Sequence, residues 1–195
     1  MSTFSAEPTS REERRRRTEA CILHIARRLF AEEGFDRATI RAVAQRAGVD
    51  PALVMQYFGS KEGLFAAAMK GAHGGGQLRE AERADIPAAA LHDLFAKFEE
   101  TTDREAAAAL ARNFLTHPEA HRIMRDEVMC SLVQGLAGKI GGKDAELKAA
   151  LVMACTFGLG LARYLLQIPG LAQAQRADIE RLLEPALRAV LDAGD

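Results

Sequence analysis

The run Ala47-Gly48-Val49-Asp50-Pro51 leaves the backbone few options. Glycine accepts the positive φ that ends a helix, so Gly48 reads as a stop. Asp50 reads as an N-cap, and Pro51 falls at the first helical position, where a missing N–H costs nothing. One helix must therefore end and another begin within three residues. Upstream, Thr39 reads as a cap, and Ile40, Val43, Ala44 and Ala47 form the inner face of a short helix. Downstream, Leu53 to Phe58 complete a second helix, Gly59 breaks it, and Ser60 caps the next. Two short helices over about 39–58, joined by a glycine turn, have the pattern of a helix-turn-helix. Val43, Ala44, Val49, Val54 and Phe58 are expected to set the angle between them. The outer face of the second helix carries Pro51, Ala52, Leu53, Met55, Gln56 and Tyr57. That face is small at its start and polar at its end, a shape that can enter a major groove. Taken alone, the pair also suits a purely structural role in a helical bundle.

The remaining sequence predicts an all-α chain, with helical periodicity throughout and no strand-like alternation. Residues 1–10 read as a disordered lead-in. A first helix spans about 11–33, with Ile22, Ile25, Ala26, Leu29 and Phe30 as its apolar stripe and Gly34-Phe35 closing it. A fourth helix carries Leu64, Phe65 and Met69. The glycine-rich run 71–76 then separates a three-helix head with its connecting helix (11–72) from a helical body (77–195). The body reads as long helices at about 87–101, 104–115, 118–139, 144–167 and 176–193, broken at Thr101-Thr102, His117-Pro118, Gly141-Gly142 and Pro169-Gly170.

Charge divides the same way. Residues 1–72 hold 12 Lys/Arg and 9 Asp/Glu, and residues 73–195 hold 14 and 18, so a basic head (+3) joins an acidic body (−4). Arg14 to Arg17 read either as a solvated helix start or as a phosphate-facing arm. No apolar run approaches the ~20 residues of a membrane span, and the N-terminus lacks a signal-type apolar stretch, so no membrane partner is expected. Cys21, Cys130 and Cys155 are odd in number and far apart, which fits a reducing cytoplasm rather than a disulfide framework. His117 and His121 are four apart, but Pro118 intervenes and no further ligand follows, so they read as a surface pair. Cys21 is expected to pack beside a polar-face His24. No nucleophile–base arrangement, phosphate-binding loop or dinucleotide fingerprint occurs, so no catalytic residue, metal site or cofactor is expected.

The run ARRLFAEEGFDRATIRAVAQRAGVDPALVMQYFGSKEGLFAAAM settles the alternatives. Phe30, Gly34-Phe35, Thr39-Ile40, Ala44, Ala47-Gly48-Val49, Tyr57-Phe58, Ser60-Lys61-Glu62 and Leu64 carry it. Over about residues 13–72, without gaps, it resembles the DNA-binding domain of the tetracycline-repressor family of bacterial transcriptional regulators. The body resembles that family's divergent C-terminal half in architecture only.

The resemblance implies roles. Thr39 caps the first motif helix and can reach a phosphate. Arg41 can reach a base edge. Pro51, Ala52 and Met55 fall at positions that touch bases or thymine methyls. Tyr57 falls at a phosphate-bonding position, and Lys61 at a phosphate contact beside a helix N-terminus. Leu53 stands where a small hydroxyl residue is usual and Met55 where Tyr is frequent. Discrimination is therefore expected to rest on methyl contacts, Gln56 and Arg41.

The resemblance also implies a homodimer on a palindromic operator in double-stranded DNA, with the last two long helices in contact. The residues agree: 144–167 has one apolar stripe through Leu147, Leu151, Ala154, Cys155, Gly158, Leu159, Ala162 and Leu165, and a second through Met153, Phe157, Leu161 and Tyr164. Leu183, Leu187 and Val190 are expected to complete the contact. A small-molecule effector of unknown identity is implied between the body's helices. Phe95, Phe98, Leu110 and Phe114 are candidate lining, as are Met124, Met129, Met153 and Phe157; Asn113, His117, His121 and Arg125 are polar candidates. The expected function is a cytoplasmic repressor released from DNA by that effector. The alternative is a helical dimeric small-molecule binder with little DNA affinity, which the apolar Leu53 and Met55 would suit.

Overall fold

The computed structural model describes residues 10–72, 76–99 and 104–194. Most of the expected lead-in, the glycines at 74–75 and the break at Thr101-Thr102 lie outside those residues. Among the described residues there are helices and no strands.

Helix α1 (Arg11–Arg37) starts at a capping box, in which Ser10 Oγ accepts from Glu13 N–H and the Glu13 carboxylate accepts from Ser10 N–H. Its backbone turns at Gly34, whose φ of 80° is positive but whose ψ of 171° is extended, not the left-handed helical cap expected from the sequence. Helices α2 (Ile40–Ala47), α3 (Pro51–Phe58) and α4 (Lys61–Ala72) follow as read. Ile22, Ala26, Leu29, Phe30, Val43, Ala44, Val54, Leu64 and Phe65 are fully buried between them. The Phe65 ring meets Phe30 and Phe35 edge-on, with centroids 5.0 and 5.2 Å apart. Cys21 is exposed rather than packed.

Beyond the glycine run come α5 (Gln77–Glu80), α6 (Ile86–Glu99), α7 (Arg104–Thr116), α8 (Pro118–Ile123), α9 (Cys130–Ile140), α10 (Ala145–Gly160), α11 (Pro169–Ala172) and α12 (Arg176–Asp192). The helix expected over 118–139 is one path through α8 and α9, wound as π-helix at Met124–Met129. A second π segment, Leu161–Leu165, prolongs α10. Ala145–Leu165 is consequently long and apolar enough to span a membrane by length and composition, with mean hydropathy 1.5, contrary to the sequence expectation. Its polar groups are answered by protein: Lys148 Nζ donates to the Leu191 carbonyl at 2.7 Å, and Thr156 Oγ1 to the Val152 carbonyl at 3.0 Å.

The head does not keep its core to itself. Leu110, Ala111 and Phe114 of α7, with Ala120, Ile123, Met124 and Val128 beyond it, are buried against α1 and α4. A second core gathers α6, α9, α10 and α12. Helix α7 stands between the two, tied to the head by polar contacts as well. Asn113 Nδ2 donates to the Phe30 carbonyl at 2.6 Å, and His117 Nε2 lies 3.0 Å from the Asp36 carboxylate.

Candidate nucleic-acid interface

The geometry of the α2–α3 pair follows from its caps. Thr39 Oγ1 accepts from Ala42 N–H at 3.1 Å and starts α2. Gly48, at φ 66° and ψ 32°, takes the left-handed conformation, and Val49 N–H reaches back to the Ala44 carbonyl at 3.0 Å. Asp50 Oδ1 accepts from Ala52 N–H at 2.7 Å and starts α3. Ser60 Oγ accepts from Gly63 N–H at 3.0 Å and starts α4. Gly63, which the sequence reading passed over, closes the motif: a Cβ there would sit 2.2 Å from the Phe58 carbonyl oxygen, so only glycine lets α4 leave α3 this closely.

With Val43, Ala44 and Val54 turned inward, the outer face of the motif is bare. Thr39, Arg41, Pro51, Ala52, Met55 and Gln56 are all exposed. The Thr39 hydroxyl accepts in the cap, and its proton stays free to donate to an incoming oxygen. Leu53 is half-buried, so its departure from a hydroxyl residue changes the rim of the face rather than its centre. Tyr57 is also half-buried, and the Arg15 guanidinium lies 5.5 Å from its ring centroid. That contact brings the exposed Arg14–Arg17 run alongside α3. Lys61 Nζ donates to the Asp36 carbonyl at 2.9 Å and lies over the Phe35 ring at 4.6 Å. It therefore also braces the end of α1, with two of its three N–H donors left over.

Behind this head lies a cavity of about 240 Å³ walled by α5, α6, α7, α9, α10 and both π segments. Of the residues named from the sequence as candidate lining, Phe98, Phe114, Met129, Met153 and Phe157 border this cavity. Phe95, Leu110 and Met124 do not. Phe95 turns away beneath the Arg163 and Arg176 guanidiniums, at 5.8 and 5.1 Å, while Leu110 and Met124 belong to the head's core. The polar candidates are elsewhere too. Asn113 is bonded to α1, and His117 caps α8 through Nδ1, which accepts from Ala120 N–H at 3.3 Å. His121 is exposed, and Arg125 pairs with Asp126.

The polar groups that do line the cavity are Arg79, Asp93, Lys97, Ser131, Lys139 and Thr156. Two of them clamp α5 by its ends. Asp93 accepts from Gln77 and Leu78 N–H at its start, at 3.4 and 3.0 Å, and Lys139 donates to the Arg79 and Ala81 carbonyls at its finish. Lys97 has no such duty. Among the described residues no carboxylate pairs with it, and its Nζ lies 5.2 Å from the Phe98 ring centroid. Burial, and then repulsion from Arg27, pulls its ammonium down from the usual lysine range to about 8. Helical periodicity marked the apolar stripes of α6 but gave no reason to single out a lysine at the edge of one.

The other exposed feature is apolar. Leu147, Leu151, Ala154, Cys155 and Gly158 run along the outside of α10 and continue to the half-buried Ala162. Leu182 lies outside on α12 with Ala186 and Ala189, and Leu183 and Val190 are half-buried at its margin. Leu159 and Leu187, expected at a contact between copies, are instead buried within the protomer. Leu159 shares the inward face of α10 with Val152 and Thr156, and Leu187 that of α12 with Ile179 and Leu191. A helix turns 100° per residue, so adjacent leucines serve different faces.

Comparison with known proteins places this architecture. Residues 22–68 match the model of bacterial regulatory proteins of the tetR family, and residues 84–191 match the tetracyclin repressor-like C-terminal domain. An HTH-type transcriptional regulator, BetI, of Rhizobium meliloti is 28% identical over 181 residues, 86% of this chain and 88% of its own. The HTH-type transcriptional repressor AcnR of Corynebacterium glutamicum is 44% identical over 46 residues, 24% of each chain. A crystal structure of a TetR-family regulator from Streptomyces coelicolor superimposes with a TM-score of 0.66 at 26% identity, covering 93% of this chain and 98% of that one.

Proposed function

The chain belongs to the tetR family of bacterial regulatory proteins and is a DNA-binding transcriptional regulator, and from that premise we propose a dimeric repressor, acting in the bacterial cytoplasm, that leaves a palindromic operator when a small molecule fills the cavity. One observation carries the DNA-reading part. The α2–α3 pair is locked by caps on its inner side while Thr39, Arg41, Pro51, Ala52, Met55 and Gln56 remain bare on its outer side. In this reading α3 lies in the major groove. Pro51, Ala52 and Met55 meet thymine methyls, Arg41 and Gln56 reach base edges, and Thr39, Tyr57, Lys61 and the α1 arginines hold phosphates.

One motif reads only a few base pairs, so two are needed, and the outer faces of α10 and α12 supply the twofold contact. Leu151, Cys155, Gly158 and Ala162 form its α10 side, with Leu147 and Ala154 added. Leu182 joins Leu183 and Val190 on α12. Helix α7 offers the path from cavity to DNA. It gives Ala111 and Phe114 to the cavity wall and Asn113 to the end of α1. A ligand that moves this wall changes the spacing of the two heads only to the extent that it binds one spacing better than the other.

The test is selection of random duplex DNA on the purified protein at ~150 mM salt, where non-specific binding is weak. The expected result is a palindrome with half-sites about one helical turn apart. Recovery of no consensus would return the chain to the alternative, a dimeric small-molecule binder.

A further inference from the structure

We propose that the cavity takes an apolar ligand bearing a single acidic group, a carboxylate, and that the Lys97 ammonium is its counter-ion. The proposal rests on the reading of the cavity as the effector site and gives that site a ligand class. Most of the wall is hydrocarbon: Leu94, Phe98, Phe114, Met153, Phe157 and Leu161. An ammonium half-buried against such a wall costs free energy unless something answers its charge. The other charged groups at the cavity do not. Asp93 is held by the α5 N–H groups, Lys139 by the α5 carbonyls, and Arg79 is exposed on α5. Arg27 of α1 lies outside the cavity wall, where its Nε donates to the Ala68 carbonyl and its charge repels the Lys97 ammonium. Among the described residues the Lys97 charge goes unanswered, and one negative charge would answer it.

Its amount and size are limited. One ammonium answers one charge, whereas a phosphate monoester brings nearly two and three acceptor oxygens. About 240 Å³ lies below the ~300–1,000 Å³ usual for small-molecule sites. A short-chain or single-ring acid fits both limits. Proximity of Arg27 adds a consequence: an acid at Lys97 relieves the repulsion between a cavity group and a residue of α1, the helix that carries the head.

The experiment is calorimetric titration of the full-length protein with hexanoate, octanoate, phenylacetate and 4-phenylbutyrate, each beside its neutral primary amide. At pH 7 at least one acid should bind about tenfold or more tightly than its amide. Lys97 is protonated there. Above its free value of about 8 the margin should fall, approaching tenfold per pH unit, because binding must then recharge the amine. Lys97→Met should erase the margin while keeping amide binding, and should fold, since it removes an unanswered charge and retains the volume. The proposal is overturned if no acid binds, if amides bind as tightly as acids, or if the acid margin survives Lys97→Met. Failure of the effector reading would look different. The acid would bind with its Lys97 dependence intact yet leave the selected operator complex undisturbed, and the anion site would stand without its regulatory role.

Discussion

Two outward faces of this molecule are apolar, and they differ in length and in company. On α3, Pro51, Ala52 and Met55 span a single turn, with Gln56 beside them and Arg41, Thr39 and the α1 arginines around the rim. On α10 and α12, leucine, alanine, cysteine and glycine continue for several turns, and Leu147, Leu151 and Leu182 are 61, 43 and 67% exposed. A short apolar spot in a basic, hydrogen-bonding frame suits a thymine methyl in a polyanionic groove. A long stripe without charge suits a second helix pair. Exposed hydrophobicity thus points to nucleic acid in one place and to protein in the other, and its extent and surroundings decide which.

That contrast can be broken first at its larger face. Leu151→Glu combined with Leu182→Glu should convert a dimer into a monomer in sedimentation velocity. Operator affinity should fall by about 10²–10⁴-fold through loss of the second half-site, without any change in the head. Thiol labelling reads the same face in the unaltered protein. Cys21, Cys130 and Cys155 are all exposed on the protomer, so protection of Cys155 alone places the contact on α10. If the double variant stays dimeric, the contact lies elsewhere.

Gly63→Ala tests the scaffold of the smaller face. The added methyl meets the Phe58 carbonyl oxygen at 2.2 Å unless α4 moves. Urea unfolding should show a loss of about 1–3 kcal/mol, and operator binding should weaken even where folding is complete. Arg41→Ala should leave stability unchanged, cost about 1–3 kcal/mol of operator affinity and relax selectivity at one base pair. An equal loss on all sequences would make Arg41 a phosphate contact instead. Lys61→Ala is the mildest. It should lower the slope of log affinity against log salt by roughly one and should also loosen the α1 end that Lys61 braces through the Asp36 carbonyl.

How much of this the sequence made legible depends on distance along the chain. Caps and stops act within three or four residues, so Thr39, Gly48, Asp50 and Pro51 could be read directly, and with them the whole motif. Gly63 could not, because its constraint is a carbonyl across a turn. In the body, periodicity showed that 144–167 has two apolar faces but not which of them meets the chain's own core. Leu159 and Leu187 were assigned outward for that reason, and Leu182, the most exposed residue of its stripe, was left out of the contact. Phe95 and Phe98 are equally apolar, yet two arginines from later helices draw Phe95 out of the cavity. Lys97 was invisible because its meaning lies in the absence of a carboxylate partner among the described residues. His117, read from the sequence as half of a surface pair, is a helix cap joining body to head.

The central claim is that the apolar outer face of α3 reads thymine methyls. It is tested by replacing each thymine of a selected half-site with uracil, which deletes one methyl and leaves every hydrogen-bonding edge in place, and measuring affinity by fluorescence anisotropy. One or two positions should lose roughly fourfold, the worth of one buried methyl at about 0.8 kcal/mol, and Met55→Ala should make at least one of those positions indifferent to the change. Full affinity for uracil at every position would contradict the claim, and would leave Arg41, Gln56 and the phosphate contacts to account for recognition without α3's apolar face.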